Sequence, residues 1–247
     1  MRVNLLQELL SEKQKIVFFG GAGVSTESGI PDYRSPDGLY SVHRQFGRPP
    51  EELLSRGFFL QEPEAFYRFY RERMLHPEAQ PNPAHRALAR LEEMGKLLAV
   101  VTQNIDGLHQ KAGSHKVLEL HGSVWRNHCM GCGRQVALEE LMNIQGVPRC
   151  PDCGGLIRPD VVLYGEPLDP DVWDEAVRIL QRADLLIIGG TSLAVYPAAG
   201  LVDHYQGHDL VVINREDIAL GGRPAHVLNE SVGTVLETAV RGLRRMR

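Results

Sequence analysis

Four cysteines occur in this 247-residue chain, and all lie between positions 129 and 153, as Cys129-x2-Cys132-x17-Cys150-x2-Cys153. Each CxxC can wrap a tight turn around a metal ion and supply two thiolates. Two such knuckles complete the tetrahedral sulfur shell that zinc prefers. Gly131, Gly133, Gly154 and Gly155 stand beside the ligands, where such turns need conformational freedom. Four sulfurs leave no open coordination position, so the zinc is expected to be structural. A redox dithiol or a pair of disulfides are the competing uses of four cysteines, and the spacing favours zinc over both. His128 adjoins Cys129, but with four thiolates available it is expected to be a bystander.

Outside this module, short apolar runs occur at 16–19, 97–101, 117–120, 161–163, 185–188 and 210–213. Each is about strand length and none alternates cleanly, as expected of strands buried on both faces of a parallel sheet. Helical patterns at 84–94 and 171–182 fall between them. This alternation predicts a doubly wound α/β fold. Two stretches break the rhythm: 35–80 has helix-like segments such as 64–74 but no strand, and 126–156 holds the cysteines. The expected division is a Rossmann-like domain from 1–34, 81–125 and 157–247. A smaller domain would combine a helical module, 35–80, with the zinc module, 126–156. A hydrophobic content of 43% suffices for a sizeable core. A formal net charge of −4, from 27 basic and 31 acidic residues, does not favour a nucleic-acid or membrane-surface binder. The first fifteen residues form an amphipathic pattern without the apolar core of a signal peptide, and no apolar run is long enough to span a bilayer. A cytoplasmic location is the expectation.

Three groups of polar residues fall at expected strand ends. The first apolar run leads directly into Gly20-Gly21-Ala22-Gly23, and the loop continues through Ser25, Asp32 and Arg34. Glycines after a strand let backbone N–H groups approach a phosphate. It is not a strict GxGxxG, and no GKS/T follows, which argues against a P-loop nucleotidase. The glycines alone also fit an ordinary strand-to-helix turn. After 97–101 comes Thr102-Gln103-Asn104-Ile105-Asp106. Strand carboxyl ends face the ligand crevice in such sheets, where these side chains could bind ribose hydroxyls or a carboxamide. Helix capping by Asn104 or Asp106 is the alternative. His121 ends the 117–120 run, at the same crevice, and a near-neutral pKa suits a general base. Among ten histidines, only position singles it out.

The glycine loop through Pro31-Asp32-Tyr33-Arg34, the 102–106 segment, His121-Gly122, the paired CxxC knuckles, Gly190-Thr191-Ser192 and Val195-Tyr196-Pro197 together resemble the sirtuin family in order and spacing. The resemblance covers nearly the whole chain. It implies a Rossmann-like domain with a small domain of zinc and helical modules. It implies an NAD-dependent protein lysine deacetylase that yields nicotinamide, the deacylated lysine and O-acyl-ADP-ribose, with the acyl oxygen attacking the ribose carbon as nicotinamide leaves. NAD would be a co-substrate, zinc structural, and acyl-lysine proteins the partners, with no membrane or direct nucleic-acid contact. The same resemblance implies that Ala22, Gly23, Thr26, Tyr33 and Arg34 line the NAD pocket. Gln103, Asn104, Ile105 and Asp106 would hold ribose and carboxamide, with Asn104, Asp106 and His121 catalytic and His121 the base. Gly190, Thr191 and Ser192 would contact phosphate and ribose, Asn214, Arg215 and Glu216 the adenosine ribose, and Val232 the adenine. Val162, Leu163, Tyr164 and Gly165, with Val195 and Tyr196, would flank the peptide by strand-like pairing.

The chain departs from the family pattern in three places. Gly20 replaces a frequent threonine, and Tyr33 a frequent phenylalanine. Members that prefer succinyl- or malonyl-lysine carry Tyr-x-x-Arg in the helical module. Here Tyr67 is followed at that interval by Tyr70, with Arg71 one place late, about a hundred degrees round a helix. Tyr70 and Arg73 have the right interval, one turn out of register. Acetyl is therefore expected over succinyl. A mono-ADP-ribosyltransferase on the same fold, a catalytically silent NAD or ADP-ribose sensor and a zinc-ribbon nucleic-acid binder are the other readings. Asn104, Asp106 and His121 argue against silence, and the acidic balance argues against the last.

Overall fold

The structure is a computed structural model that describes residues 2–32 and 46–243. Tyr33 and Arg34 lie outside the described residues. Helix α1 (Arg2–Glu12) precedes strand β1 (Ile16–Gly20). Helices α2 (Pro50–Leu53), α3 (Arg56–Gln61), α4 (Pro63–Arg73) and α5 (Pro83–Glu93) come next among the described residues. Strand β2 (Leu97–Thr102), helix α6 (Leu108–Lys111) and strands β3 (Val117–Glu119), β4 (Gly122–Cys129) and β5 (Gln135–Ala137) follow. Helix α7 (Leu138–Asn143), strand β6 (Ile157–Val161), helix α8 (Pro170–Arg182) and strands β7 (Leu185–Gly189), β8 (Asp209–Ile213) and β9 (His226–Leu228) lead to α9 (Val232–Arg241).

Six strands form one sheet in the order β3-β2-β1-β7-β8-β9, with every pairing parallel. Successive side chains of a strand point to opposite faces, and both faces are covered. Ile16, Phe18, Leu185 and Ile187 pack with Leu6, Leu10, Leu88 and Leu236 from α1, α5 and α9. Val17, Phe19, Leu186 and Ile188 pack on the other side with Ala176, Ile179 and Leu180 of α8 and with Leu201 and Val202. The runs of β1, β2, β7 and β8 do not alternate because these strands are covered on both faces. Local signals start the helices. Asn82 caps α5, with Pro83 behind it, and Asp169 caps α8 by accepting from the Asp171 and Val172 amides.

The run 161–163, expected as a strand of this sheet, is not one. The strand there is β6, which pairs antiparallel with β4 in a separate sheet of order β5-β4-β6. Its pattern explains the difference: Ile157, Pro159 and Val161 are buried while Arg158 and Asp160 are half-buried, the alternation of a sheet with one covered face. The brief strand β9 carries too few apolar residues to be seen in the sequence. A further core joins this small sheet to the helices before it: Phe59, Phe66, Tyr67, Phe69 and Tyr70 pack with Cys129, Val136, Leu141, Cys150 and Ile157. The Tyr67 hydroxyl donates to the Ile157 carbonyl across that core.

Candidate active site

Strand order reverses between β1 and β7, and in open α/β sheets ligands bind outside the strand carboxyl ends at that point. The loops leaving these two strands lie back to back. The Gly23 amide donates to the Gly190 carbonyl at 2.8 Å. A Cβ on Gly23 would stand 2.8 Å from the Gly190 Cα and 2.9 Å from its carbonyl oxygen. Only glycine permits the approach. Glu27 of the first loop accepts from the Gly233 amide at 3.0 Å, placing its carboxylate at the amino end of α9. Asn82 fixes the same loop from beneath, donating to the Val24 carbonyl at 2.7 Å and the Ser28 hydroxyl at 3.0 Å.

A cleft of about 530 Å³ opens above these loops. Ala22, Gly23 and Thr26 line it, with Gln103, Asn104, Ile105, Asp106 and His121, and with Gly190, Thr191 and Ser192. Asn214, Arg215, Glu216 and Val232 line it after β8 and at the start of α9. Val162, Leu163, Tyr164 and Gly165 form another wall, and Val195 and Tyr196 part of the rim. The structure thus brings together in one cleft every expected non-metal site residue that it describes. Ser25 of the glycine loop and Tyr70 and Arg73 of the helical module line it too, as do Leu54, Met74, His76, Val124 and Trp125, which carry no expected role. Leu54, Met74 and His76 carry no chemical pattern in sequence; only the fold delivers them.

Ser25 is the centre of the polar network. Its hydroxyl donates to Asp106 Oδ2 at 2.7 Å and accepts from Asn104 Nδ2 at 3.1 Å. Asp106 Oδ1 accepts from the Leu108 amide at 2.9 Å, so this residue also caps α6. Burial pushes the Asp106 carboxyl up, against the Ser25 and Leu108 hydrogen bonds. The Trp125 indole donates to the Asp106 carbonyl at 2.7 Å. Thr191 donates to Gln103 Oε1 at 2.8 Å, tying the loop after β2 to the loop after β7. His121 Nδ1 lies 3.0 Å from the Gln103 carbonyl oxygen. A carbonyl only accepts, so Nδ1 carries the proton and Nε2 is left as the basic nitrogen of the neutral ring. Burial lowers the His121 pKa, partly offset by that hydrogen bond.

The cysteines gather outside this cleft. Their sulfurs lie within 4.8 Å of one another, with Cys129 and Cys153 at 3.4 Å and Cys132 and Cys150 at 3.7 Å. Sulfurs bound to one tetrahedral zinc at about 2.3 Å stand about 3.8 Å apart, whereas a disulfide needs about 2.05 Å. All four are free, and the donor set fits one structural zinc. The amides of Gly131 and Gly155 point at the sulfurs of Cys129 and Cys153, at 3.3 and 3.4 Å. His128 pairs with Asp160 instead of joining the cluster.

The Sir2 family model matches residues 21–197, from the glycine loop to the cleft rim. The chain belongs to the Sir2 family. The NAD-dependent protein deacetylase of Clostridium acetobutylicum is 51% identical over 240 residues, 97% of this chain and 98% of its own. That of Clostridium perfringens is 52% identical over 236 residues, 95% and 97% of the two chains. Among solved structures, a Sir2 protein with a deacetylated p53 peptide and 3′-O-acetyl-ADP-ribose has a TM-score of 0.88 at 39% identity, over 98% of each chain. A Sir2 homologue in complex with NAD has a TM-score of 0.85 at 40% identity, over 96% of this chain and 92% of its own.

Proposed function

We propose that this Sir2 chain is an NAD-dependent protein lysine deacetylase, releasing nicotinamide and O-acetyl-ADP-ribose. The observation that carries the reading is the convergence of His121, Asn104, Asp106 and the glycine loop in one cleft at the β1/β7 switch point. Close relatives over nearly the whole chain bear that activity in their names.

Bound NAD would supply a ribose carbon from which nicotinamide departs as a neutral molecule. Ala22, Gly23 and Thr26, with Gly190, Thr191 and Ser192, would hold its phosphates and adjoining ribose, and Tyr33 and Arg34 are assigned to the same pocket. Gln103, Asn104, Ile105 and Asp106 would hold the nicotinamide ribose and carboxamide. Asn214, Arg215, Glu216 and Val232 would hold the adenosine end. His121 accepts a proton from a ribose hydroxyl at Nε2, because Nδ1 is committed to the Gln103 carbonyl. Its lowered pKa keeps it unprotonated at neutral pH. The acetyl-lysine enters between Val162–Gly165 and Val195–Tyr196, past Ile105, Val124, Val161 and Leu163, which keep water from the reacting centre. We assign the small domain to 35–80 and 126–156 and the NAD-binding domain to the rest. Two cores on the large sheet and one on the small sheet support a two-part division, with Val124, Ile157, Val161 and Leu163, which flank 126–156, packing into the small-domain core. The location is taken as cytoplasmic: no helix among the described residues is long and apolar enough to cross a membrane. Proteins, not nucleic acids, are taken as partners, in line with the net charge of −4.

His121→Ala is expected to retain NAD binding by calorimetry and lose most deacetylation; full retained activity would refute the assignment. Succinyl-lysine is the second substrate reading, and Arg73, which lines the cleft, favours it. Against it, Arg71 is committed to the carbonyls of Gly146 and Ile144, at 2.6 and 2.8 Å. Tyr67 is likewise committed to Ile157. Turnover of acetyl- and succinyl-lysine peptides compared side by side should favour acetyl; a clear succinyl preference overturns that choice.

A further inference from the structure

The segment 161–166 forms a cleft wall, yet only its first residue belongs to a regular strand. Its shape is set by two side chains. The Glu166 amide donates to the Leu163 carbonyl at 3.0 Å, closing a turn with Gly165 at φ +89°. The Glu166 carboxylate folds back, and Oε2 accepts from the Leu163 amide at 3.0 Å. Arg158, on β6, grips that carboxylate with both arms: Nη1 to Oε1 at 2.8 Å and Nη2 to Oε2 at 3.0 Å. Nη2 also donates to the Val161 carbonyl at 2.9 Å. One guanidinium therefore ties both ends of the segment together.

What lies between those ends is fastened to the catalytic side and to the helical module. The Val162 amide donates to the carbonyl of His121 at 2.9 Å. Tyr164 donates to Leu54 and accepts from Arg56, each at 3.0 Å. The pair is shielded, with side chains 16% and 13% exposed, and a bidentate arginine–carboxylate contact fixes direction as well as distance. Burial disfavours the charge on Glu166, but the Arg158 hydrogen bonds and the Leu163 amide hold its carboxyl below the usual carboxylate range.

The geometry points to Arg158 and Glu166 as positioning residues for the acyl-lysine peptide, holding the 161–166 wall in the shape that receives it. This rests on the deacetylase reading above. Neither side chain hydrogen-bonds to the Gly21–Ser28 loop, to 103–106 or to 190–192 among the described contacts, so these NAD-site loops are not held by them directly.

The test is steady-state kinetics of Glu166→Ala, Glu166→Gln and Arg158→Lys, with an acetyl-lysine peptide and NAD varied in turn. Glu166→Ala should raise the peptide KM about tenfold while kcat and the NAD KM stay within about twofold. Glu166→Gln keeps an acceptor for Leu163 and should give a smaller rise; it carries the test if the alanine variant does not fold. Arg158→Lys cannot reproduce the fork and should also raise the peptide KM. Arg56→Ala removes only a 3.8 Å contact to Glu166 from a 62% exposed side chain and should leave the peptide KM unchanged. An active wild type whose Glu166 and Arg158 variants keep the peptide KM, or lose NAD affinity equally, overturns the positioning role alone. A wild type without peptide-dependent nicotinamide release overturns the deacetylase reading, and the positioning role with it.

Discussion

Ser25 is 1% exposed, and its hydroxyl serves as donor and acceptor at once, to Asp106 and from Asn104. Removing it leaves one buried acceptor short of a donor and one amide without its acceptor. Each such loss costs about 1–3 kcal/mol. Ser25→Ala should therefore lower kcat/KM for NAD by about tenfold or more, measured as nicotinamide release, and unchanged kinetics would show that the network is not functional. His121 makes a different prediction. Its pKa lies below 6.5 because burial disfavours the imidazolium, and only the neutral ring accepts a proton. Deacetylation should rise with pH through a pKa below 6.5 and be flat above it, and His121→Ala should lack that limb. A limb centred above 6.5 would contradict the assignment. Sequence offered Asn104, Asp106 and His121 through their places at strand ends. It could not show that Ser25 joins two of them, because that contact needs β1 and β2 to be neighbours. Nor could it choose between cap and site for Asp106, since one oxygen caps α6 and the other meets Ser25.

Two loops meet where the sheet changes direction, and glycine is required on both sides. Gly23→Ala would drive a Cβ to 2.8 Å from the Gly190 backbone, closer than real side chains stand. The loops must part, and NAD affinity measured by calorimetry should fall more than tenfold while zinc content is unchanged. Binding at wild-type affinity would show that the loop spacing is not what the cofactor reads. The glycine pattern was visible in the sequence, but its partner was not, because register between β1 and β7 is a property of the sheet. Asn82 both caps α5 and anchors the cofactor loop, and the second role needs the loop after β1 to lie beside α5. By contrast, the 161–163 run falls outside the parallel sheet, because apolar length alone does not name a strand's partner.

Across the whole molecule, buried histidines tie stability to pH. His85 and His109 are 0% and 1% exposed, with rings 4.7 Å apart. Burial lowers the His85 pKa to about 4 and puts His109 well below its ordinary 6.5. The unfolded chain binds these protons first, so stability is full above 6.5 and falls as pH drops from there towards 4. Replacing His109 with leucine should flatten the fall by up to about 1.4 kcal/mol per pH unit, followed by denaturation at a series of pH values. An unchanged slope would remove His109 as a cause. The zinc module is the other global element, since Cys129 and Cys150 belong to the core that carries the helices. Atomic absorption should find one zinc per chain, and chelation should lower the melting temperature; a metal-free chain of equal stability would contradict a structural role. The α/β class and the cysteine set were legible because periodicity and spacing are local. The shared core of helices and small sheet was not, since it joins stretches far apart in the chain. NAD is consumed as this enzyme removes an acetyl group from lysine. The direct measurement is incubation with NAD and an acetyl-lysine peptide, with nicotinamide and O-acetyl-ADP-ribose both quantified. Equal amounts of the two, appearing only when the acetylated peptide is present, are the expected result; nicotinamide released equally without peptide, or with no O-acetyl-ADP-ribose, would contradict it.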